Sequence, residues 1–203
     1  MLIEINEQNI DQRLIDDIVG ELKAGGIIIY PTDTVYAMGC SLNNKKALEK
    51  LAKLKGIKLN KAKFSIICKD MSDISEYVKQ INRPTFKLMK QSLPGPYTFI
   101  LNATNEVTKL FDAKRKEIGI KIPKNDIVLA LVEKLGHPIV TTSLHDNEDE
   151  LLEYFTDPYE IYERFDEKVS TIIDGGPGKL EASTIIDCTG DAPELIRQGA
   201  GEI

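Results

Sequence analysis

Short apolar segments typical of β-strands alternate with amphipathic segments typical of α-helices along most of this 203-residue chain. Apolar side chains recur at helical spacing over residues 10–22, and Gly25-Gly26 ends that pattern. Residues 27–30 then run IIIY, which is typical of a strand buried on both faces. Such alternation favours an α/β sheet. Short turn-linked strands around residues 27–40 and 169–197 favour a mixed parallel and antiparallel sheet.

Length and composition set the scale of the fold. A chain of 203 residues with 42% hydrophobic residues can bury a substantial core. The sequence contains no internal repeat, low-complexity segment or linker. We therefore expect a single domain over residues 1–203.

The cysteines and the apolar runs indicate a cytoplasmic protein. Cys40, Cys68 and Cys188 are scattered singly, and His137 and His145 give no zinc-binding spacing. No apolar run is long enough to span a membrane, and the first ten residues do not resemble a signal peptide. We expect a reducing compartment and no membrane partner.

Charge is unevenly distributed along the chain. The net charge is −6, which argues against a protein that simply coats nucleic acid. Residues 45–69 are nevertheless rich in lysine and contain a single acid, Glu49, whereas residues 146–167 are rich in acids and contain a single base, Arg164. The lysines are typical either of a solvated helix face or of a local anion-binding surface.

Several predicted strands end in hydroxyl-bearing or basic residues. The segments are YPTDT, PYT, IKIP, VTTS, AST and IRQG. Ligands of open α/β sheets bind at strand ends, and hydroxyls combined with a few cations suit a phosphate or carboxylate ligand. The YPTDT segment is unusual because a buried strand stops on Thr32, Asp33 and Thr34 without a glycine.

Common catalytic signatures are missing from the sequence. It contains no G-x-S-x-G, P-loop or G-x-G-x-x-G motif, and neither histidine has a nucleophile at a recognisable spacing. A covalent hydrolase is therefore disfavoured. An enzyme built on this chain would work by orienting its substrates and neutralising their charge.

The order of eight segments resembles the YrdC-like family of threonylcarbamoyl-AMP synthases, and their sequences are most similar to its YciO-like branch. The segments are YPTDTVYAMGC, KLKGIK, KFSIIC, PGPYTFIL, IGIKIP, PIVTTSL, STIID and LIRQG. The resemblance covers roughly residues 10 to 201. It implies a twisted mixed sheet, with helices around a concave and positively charged cavity. The fold it implies is related to that of dihydroxybutanone-phosphate synthase.

The resemblance also implies a reaction. Family members condense ATP, L-threonine and bicarbonate into threonylcarbamoyl-adenylate and pyrophosphate, with Mg²⁺ bound to the nucleotide rather than to the protein alone. The product serves the modification of tRNA. ATP and L-threonine are the partners expected on this ground. The alternative is a protein that binds tRNA or double-stranded RNA on its basic concave face and has no synthase activity.

Site residues follow from matching the motifs position by position. Lys55 and Ser143 match catalytic positions, and together with Arg197 they match contacts to the nucleotide. The positions matched to threonine binding are Thr34, Lys121, Thr141 and Ser183. Further candidates near the same strand ends are Thr32, Lys63, Thr98 and His145.

Three positions depart from the family pattern. Ile57 replaces the arginine of a K-x-R motif, and His145 replaces the asparagine of an S-x-N motif. Lys121 stands where family members have an arginine, which exchanges a bidentate fork for a point charge. The resemblance therefore predicts weak or altered synthase activity.

Overall fold

The computed structural model of the chain describes residues 1–112, 116–145 and 154–202. Within these residues ten strands form one sheet, in the order β1-β8-β2-β3-β7-β4-β6-β5-β9-β10. The strands are β1 (Leu2–Glu4), β2 (Ile28–Tyr30), β3 (Ala37–Ser41), β4 (Ser65–Ile67), β5 (Tyr97–Asn102), β6 (Glu117–Lys121), β7 (Ile139–Ser143), β8 (Thr171–Asp174), β9 (Thr184–Asp187) and β10 (Glu194–Arg197). Four of the nine neighbouring pairs are parallel and five are antiparallel, which confirms the predicted mixed sheet.

Seven α-helices lie between the strands in the described part of the chain. They are α1 (Gln12–Lys23), α2 (Lys45–Leu54), α3 (Met71–Ile74), α4 (Arg83–Ser92), α5 (Asn105–Leu110), α6 (Asp126–Leu135) and α7 (Pro158–Phe165), with a 3-10 turn at Leu59–Lys61. Asn44 caps the N-terminus of α2, because its side chain accepts a hydrogen bond from the backbone N–H of Ala47. Helix α5 was not predicted; Thr104 caps it by accepting a bond from the Val107 N–H.

The apolar run at residues 27–30 lies at the centre of the molecule. Each of its four side chains is fully buried, which confirms the prediction of a strand covered on both faces. Strand β2 pairs in parallel with β8 and antiparallel with β3. A strand between two neighbours and two apolar layers needs apolar residues at successive positions, rather than alternating ones.

Alternate side chains of the strands enter two separate cores. Ile29, Met38 and Val140 belong to a cluster that includes apolar residues of α2, α3, α4 and α5. Ile28 and Ile139 belong to a second cluster, which includes apolar residues of α1 and α6. Helices α1 and α6 pack together on one face of the sheet. Another part of that face lines a cavity. Helices on both faces of one mixed sheet confirm the predicted single-domain α/β fold.

No helix within the described residues is both long enough and apolar enough to cross a membrane.

Candidate functional site

A cavity of about 220 Å³ lies on the sheet face shared with α1 and α6. It is lined by Val35, Ala37, Lys63, Ser65, Thr98, Lys121, Thr141, Thr142, Ser143, His145, Tyr154, Ser183, Ile185 and Arg197. Three of these residues are cationic, six carry hydroxyl groups on Ser or Thr, and none of the described lining residues is a carboxylate. This composition suits an anionic ligand.

The strand register brings the first row of lining residues together. Ile185 in β9 pairs with Thr98 in β5 and with Arg197 in β10. Phe99 in β5 pairs with Ile120 in β6, so the next residue, Lys121 at the end of β6, lies beside Thr98. Four strands that are distant in sequence therefore present adjacent side chains to the cavity.

A second row crosses the floor of the cavity. Thr141 in β7 pairs with Ser65 in β4, and Ser65 pairs with Gly119 in β6. A Cβ atom at Gly119 would collide with the Ser65 side chain and would lie 3.1 Å from Cγ2 of Thr98. The glycine therefore keeps space open between two lining residues.

Two of the three cationic lining residues, Lys121 and Arg197, contact Ser183, just before β9. Nζ of Lys121 donates to Oγ of Ser183 at 3.4 Å, and a guanidinium nitrogen of Arg197 donates to the Ser183 carbonyl at 2.8 Å. The Ser183 hydroxyl also shares a 2.8 Å hydrogen bond with Oγ1 of Thr98. Two cations and two hydroxyls are thus held in a fixed arrangement, ready to bind an oxyanion.

Burial changes the acidity of Lys121. Loss of water contact lowers the pKa of its ammonium from 10.5, the Asp33 carboxylate partly opposes this change and the Arg197 charge adds to it, and the resulting pKa is about 8. A bound anion would stabilise the charged form of this buried ammonium, because its negative charge replaces the hydration that the ammonium loses on burial.

The structure brings together most of the residues matched from sequence. Those on the cavity lining are Lys63, Thr98, Lys121, Thr141, Ser143, His145, Ser183 and Arg197. The position of the Thr141 side chain is fixed by a buried hydrogen bond, in which the Tyr30 hydroxyl donates to its Oγ1 at 2.6 Å. The roles assigned to these residues by resemblance remain predictions.

Thr32 and Thr34 lie beside the cavity and do not line it. The Thr32 hydroxyl accepts from the Thr34 backbone N–H at 3.0 Å and donates to the Val35 carbonyl at 2.7 Å. Thr34 is buried, and its hydroxyl lies 3.1 Å from that of Thr32. Asp33 accepts from the Lys124 backbone N–H at 2.9 Å through Oδ2. Thr32 therefore satisfies the backbone of the turn after β2 and Asp33 ties the turn to the segment after β6, which explains how a buried strand ends here without a glycine.

Lys55 also lies next to the cavity. It follows α2, and its Nζ is 3.4 Å from both the Ser143 carbonyl oxygen and Nε2 of His145. Burial lowers the pKa of its ammonium. Thr34 and Lys55 are therefore not among the residues that line this cavity, although Lys55 contacts two residues that are.

Ile57 lies on the molecular surface. Its side chain is 41% exposed, in a shallow groove formed with residues of α2 and the following turn. It neither lines the cavity nor packs in a buried apolar niche. An arginine at this position would be solvated.

Ser65 and Tyr154 are lining residues that sequence analysis missed. Ser65 begins a short strand, and only its register beside Thr141 and Gly119 places it in the cavity. Tyr154 forms an isolated bridge with His145, and the two rings meet edge to face at 6.3 Å. No sequence motif marks either residue.

Within the described residues, no group of three or more His, Cys, Asp or Glu side chains could hold a metal ion. Hydroxyls and cations at the described cavity are poor ligands for Mg²⁺, which prefers carboxylate and phosphate oxygens.

A family model for the Sua5/YciO/YrdC proteins, described as telomere recombination, matches residues 21–199. The chain belongs to this family. It is 40% identical to YciO of Escherichia coli K12, over 98% of this chain and 95% of that protein. A threonylcarbamoyl-AMP synthase of Nitrosococcus oceani is a more distant Sua5/YciO/YrdC relative, with 29% identity over 60% of this chain and 65% of its own.

Solved structures of the Sua5/YciO/YrdC family have the same architecture. The crystal structure of E. coli YciO superposes with a TM-score of 0.89 at 38% identity, covering all of this chain and 97% of the other. P. abyssi Sua5 in complex with L-threonine gives a TM-score of 0.86 at 26% identity, covering 98% of this chain and 57% of that one.

Proposed function

We propose that the cavity binds L-threonine and the phosphates of ATP, and that the chain makes threonylcarbamoyl-AMP from ATP, L-threonine and bicarbonate. The observation that carries this proposal is the convergence of Lys121 and Arg197 on Ser183 within one hydroxyl-lined cavity. Such a site can hold two anions close together, which is the main requirement of this reaction.

Two relatives support the choice of substrates. A Sua5 protein of the same architecture has been crystallised with L-threonine, and another relative bears the name threonylcarbamoyl-AMP synthase. These names describe those proteins. We propose the same substrates for this chain because the residues lining its cavity suit a carboxylate and a phosphate.

The chemistry needs no protein nucleophile. The amino group of threonine bonds to the carbon of bicarbonate and water leaves, which gives threonylcarbamate. A carboxylate oxygen of the carbamate group then forms a bond to the α-phosphorus of ATP, and the bond to the oxygen bridging the α- and β-phosphates breaks. Pyrophosphate leaves with that electron pair. Lys121 and Arg197 would neutralise the charge that develops, and the hydroxyls of Ser143, Ser183 and Thr98 would orient the oxyanions. Mg²⁺ would arrive on the phosphate oxygens and supply further charge neutralisation.

We expect the reaction to be slow. Lys121 offers one point charge where family members have a guanidinium fork, and His145 replaces a neutral amide. Ile57 provides no charge where family members have an arginine, but it lies outside the cavity lining. A charge-assisted hydrogen bond is worth about 1.5–3 kcal/mol, or roughly 10- to 100-fold in rate when it forms in the transition state.

Pyrophosphate release from ATP, L-threonine and bicarbonate tests the proposal. We expect slow, threonine-dependent release by the natural chain and a rate lowered roughly ten-fold or more in Arg197→Ala. Arg13→Ala is the matched control, since Arg13 is exposed on α1 and does not line the cavity.

A thermal-shift comparison of ATP, L-threonine and a short RNA duplex separates the two classes of function. Stabilisation by ATP and threonine that is weakened in Arg197→Ala supports the synthase proposal. Stabilisation by the RNA duplex alone would contradict it and favour RNA binding.

A further inference from the structure

A second concave surface lies at the C-terminal end of α2, outside the cavity. This α2 groove has a volume of about 500 Å³ and is lined by Glu49, Ala52, Lys53, Gly56, Ile57, Lys58 and Leu59. Ile57 is one of the few large apolar side chains that the described part of the chain leaves exposed. The groove therefore combines an uncovered aliphatic side chain with charged residues on both sides of it.

Backbone hydrogen bonds hold Ile57 in a fixed position. Its N–H donates to the Ala52 carbonyl at 3.0 Å, and the Gly56 N–H donates to the Lys53 carbonyl at 3.0 Å. These two bonds form the Schellman motif that ends many helices, and Gly56 adopts the positive φ of 66° that the motif requires. A Cβ atom at Gly56 would meet nothing within 4 Å, so the space beside Ile57 is open. A partner would find this surface already formed, which lowers the entropic cost of binding.

Exposed lysines surround the α2 groove. They are Lys46, Lys50, Lys53, Lys58 and Lys61. None of these five lysines forms an ion pair with another described residue. Those on α2 follow one another at spacings of three and four residues, which places them on successive turns along the same side of the helix. Such a surface attracts acidic partners and disfavours basic ones.

We propose that the α2 groove binds an acidic segment of a partner protein that carries one large apolar side chain. That side chain packs on Ile57 in the open space beside Gly56, and flanking carboxylates lie against Lys53 and Lys58. Nucleic acid fits this surface less well, because the described lining has no aromatic side chain on which a base could stack and Glu49 would repel a phosphate. The inference is independent of the proposed function, since none of the described residues that line the groove lines the cavity.

Selection from a random peptide library displayed on phage tests the proposal. The library is first depleted on the Ile57→Asp variant and then selected on the natural chain. We expect the enriched peptides to share Asp or Glu residues on both sides of a Leu, Ile, Phe or Trp. A synthetic peptide of the enriched sequence should shift the backbone amide NMR signals of residues 52–58 saturably, and its affinity should fall as salt is added.

Two variants separate the apolar contact from the charges. Ile57→Ser should weaken binding of the synthetic peptide roughly ten-fold, because the apolar contact is lost. Lys53→Gln with Lys58→Gln should weaken it and reduce its dependence on salt. Leu180→Ser is the matched control, since Leu180 is 74% exposed and lies outside the groove, and it should bind the peptide as the natural chain does.

Three results would overturn the inference. The first is a selection that enriches no acidic peptide. The second is an enriched peptide whose affinity is the same in Ile57→Ser as in Leu180→Ser. The third is an RNA duplex that shifts the signals of residues 52–58 with an affinity that Ile57→Ser leaves unchanged, because the lysines would then serve nucleic acid.

Discussion

At the scale of one residue, Lys121 lowers the stability of the folded protein and provides a charge that can bind an anion. Its ammonium is largely desolvated, donates to the Ser183 hydroxyl, and has a pKa lowered to about 8. In the unfolded chain the same group regains the ordinary lysine pKa. Between pH 8 and 10.5 the unfolded chain therefore binds more protons, so this group makes stability rise with pH in that window. Below pH 8 the folded protein bears the full cost of a poorly hydrated charge.

Replacing Lys121 with methionine should separate the two effects. We expect Lys121→Met to increase the free energy of unfolding at pH 7 by an amount on the order of 2 kcal/mol, because the buried charge is gone. The gain should shrink as the pH rises from 8 to 10. Affinity for pyrophosphate should fall roughly ten-fold or more with the loss of a charge-assisted bond.

Melting curves at pH 7 and pH 10, together with titration of pyrophosphate, measure both effects. Unchanged pyrophosphate affinity would show that Lys121 does not contact the ligand. A lower melting temperature at pH 7 would show that the ammonium stabilises the empty cavity.

At the scale of elements, the cavity depends on how closely β4, β5 and β6 approach one another. Gly119 lies between Ser65 and Thr98 in this part of the sheet. We expect Gly119→Ala to lower the free energy of unfolding by about 1–3 kcal/mol, the usual cost of overpacking. It should also weaken pyrophosphate binding, because the new methyl group displaces two lining side chains.

Gly20→Ala is the matched control for that substitution. Gly20 lies within α1, and a Cβ atom there would meet nothing within 4 Å. The same chemical change should raise the free energy of unfolding by about 0.5–1 kcal/mol and leave binding unchanged. Denaturant unfolding of both variants would contradict the account if Gly119→Ala were as stable as Gly20→Ala.

The same elements show what the sequence could predict. The apolar run 27–30 and the polar strand ends at Ser143 and Arg197 were visible as patterns, since burial and strand length act locally. The register that places Ser65 beside Thr141 is set by packing across the whole sheet, so Ser65 was missed. Thr34 matched a family position, but the structure uses its hydroxyl within the turn.

At the scale of the whole molecule, an anion site has to operate within a chain of net charge −6. Screening makes this possible, because charges further apart than about 8–10 Å contribute little at physiological salt. Lys63, Lys121 and Arg197 lie around one cavity, so a bound anion responds mainly to them and not to the acids elsewhere. Binding should therefore be local to the cavity.

Titration of the isotope-labelled chain with pyrophosphate, followed by backbone amide NMR, tests this central claim most directly. The account predicts that the largest saturable shifts fall on residues at the cavity, including Thr98, Lys121, Ser143 and Ser183. Shifts confined to the surface groove around Ile57 or spread over the exposed lysines of α2, or no saturable shifts at all, would contradict it.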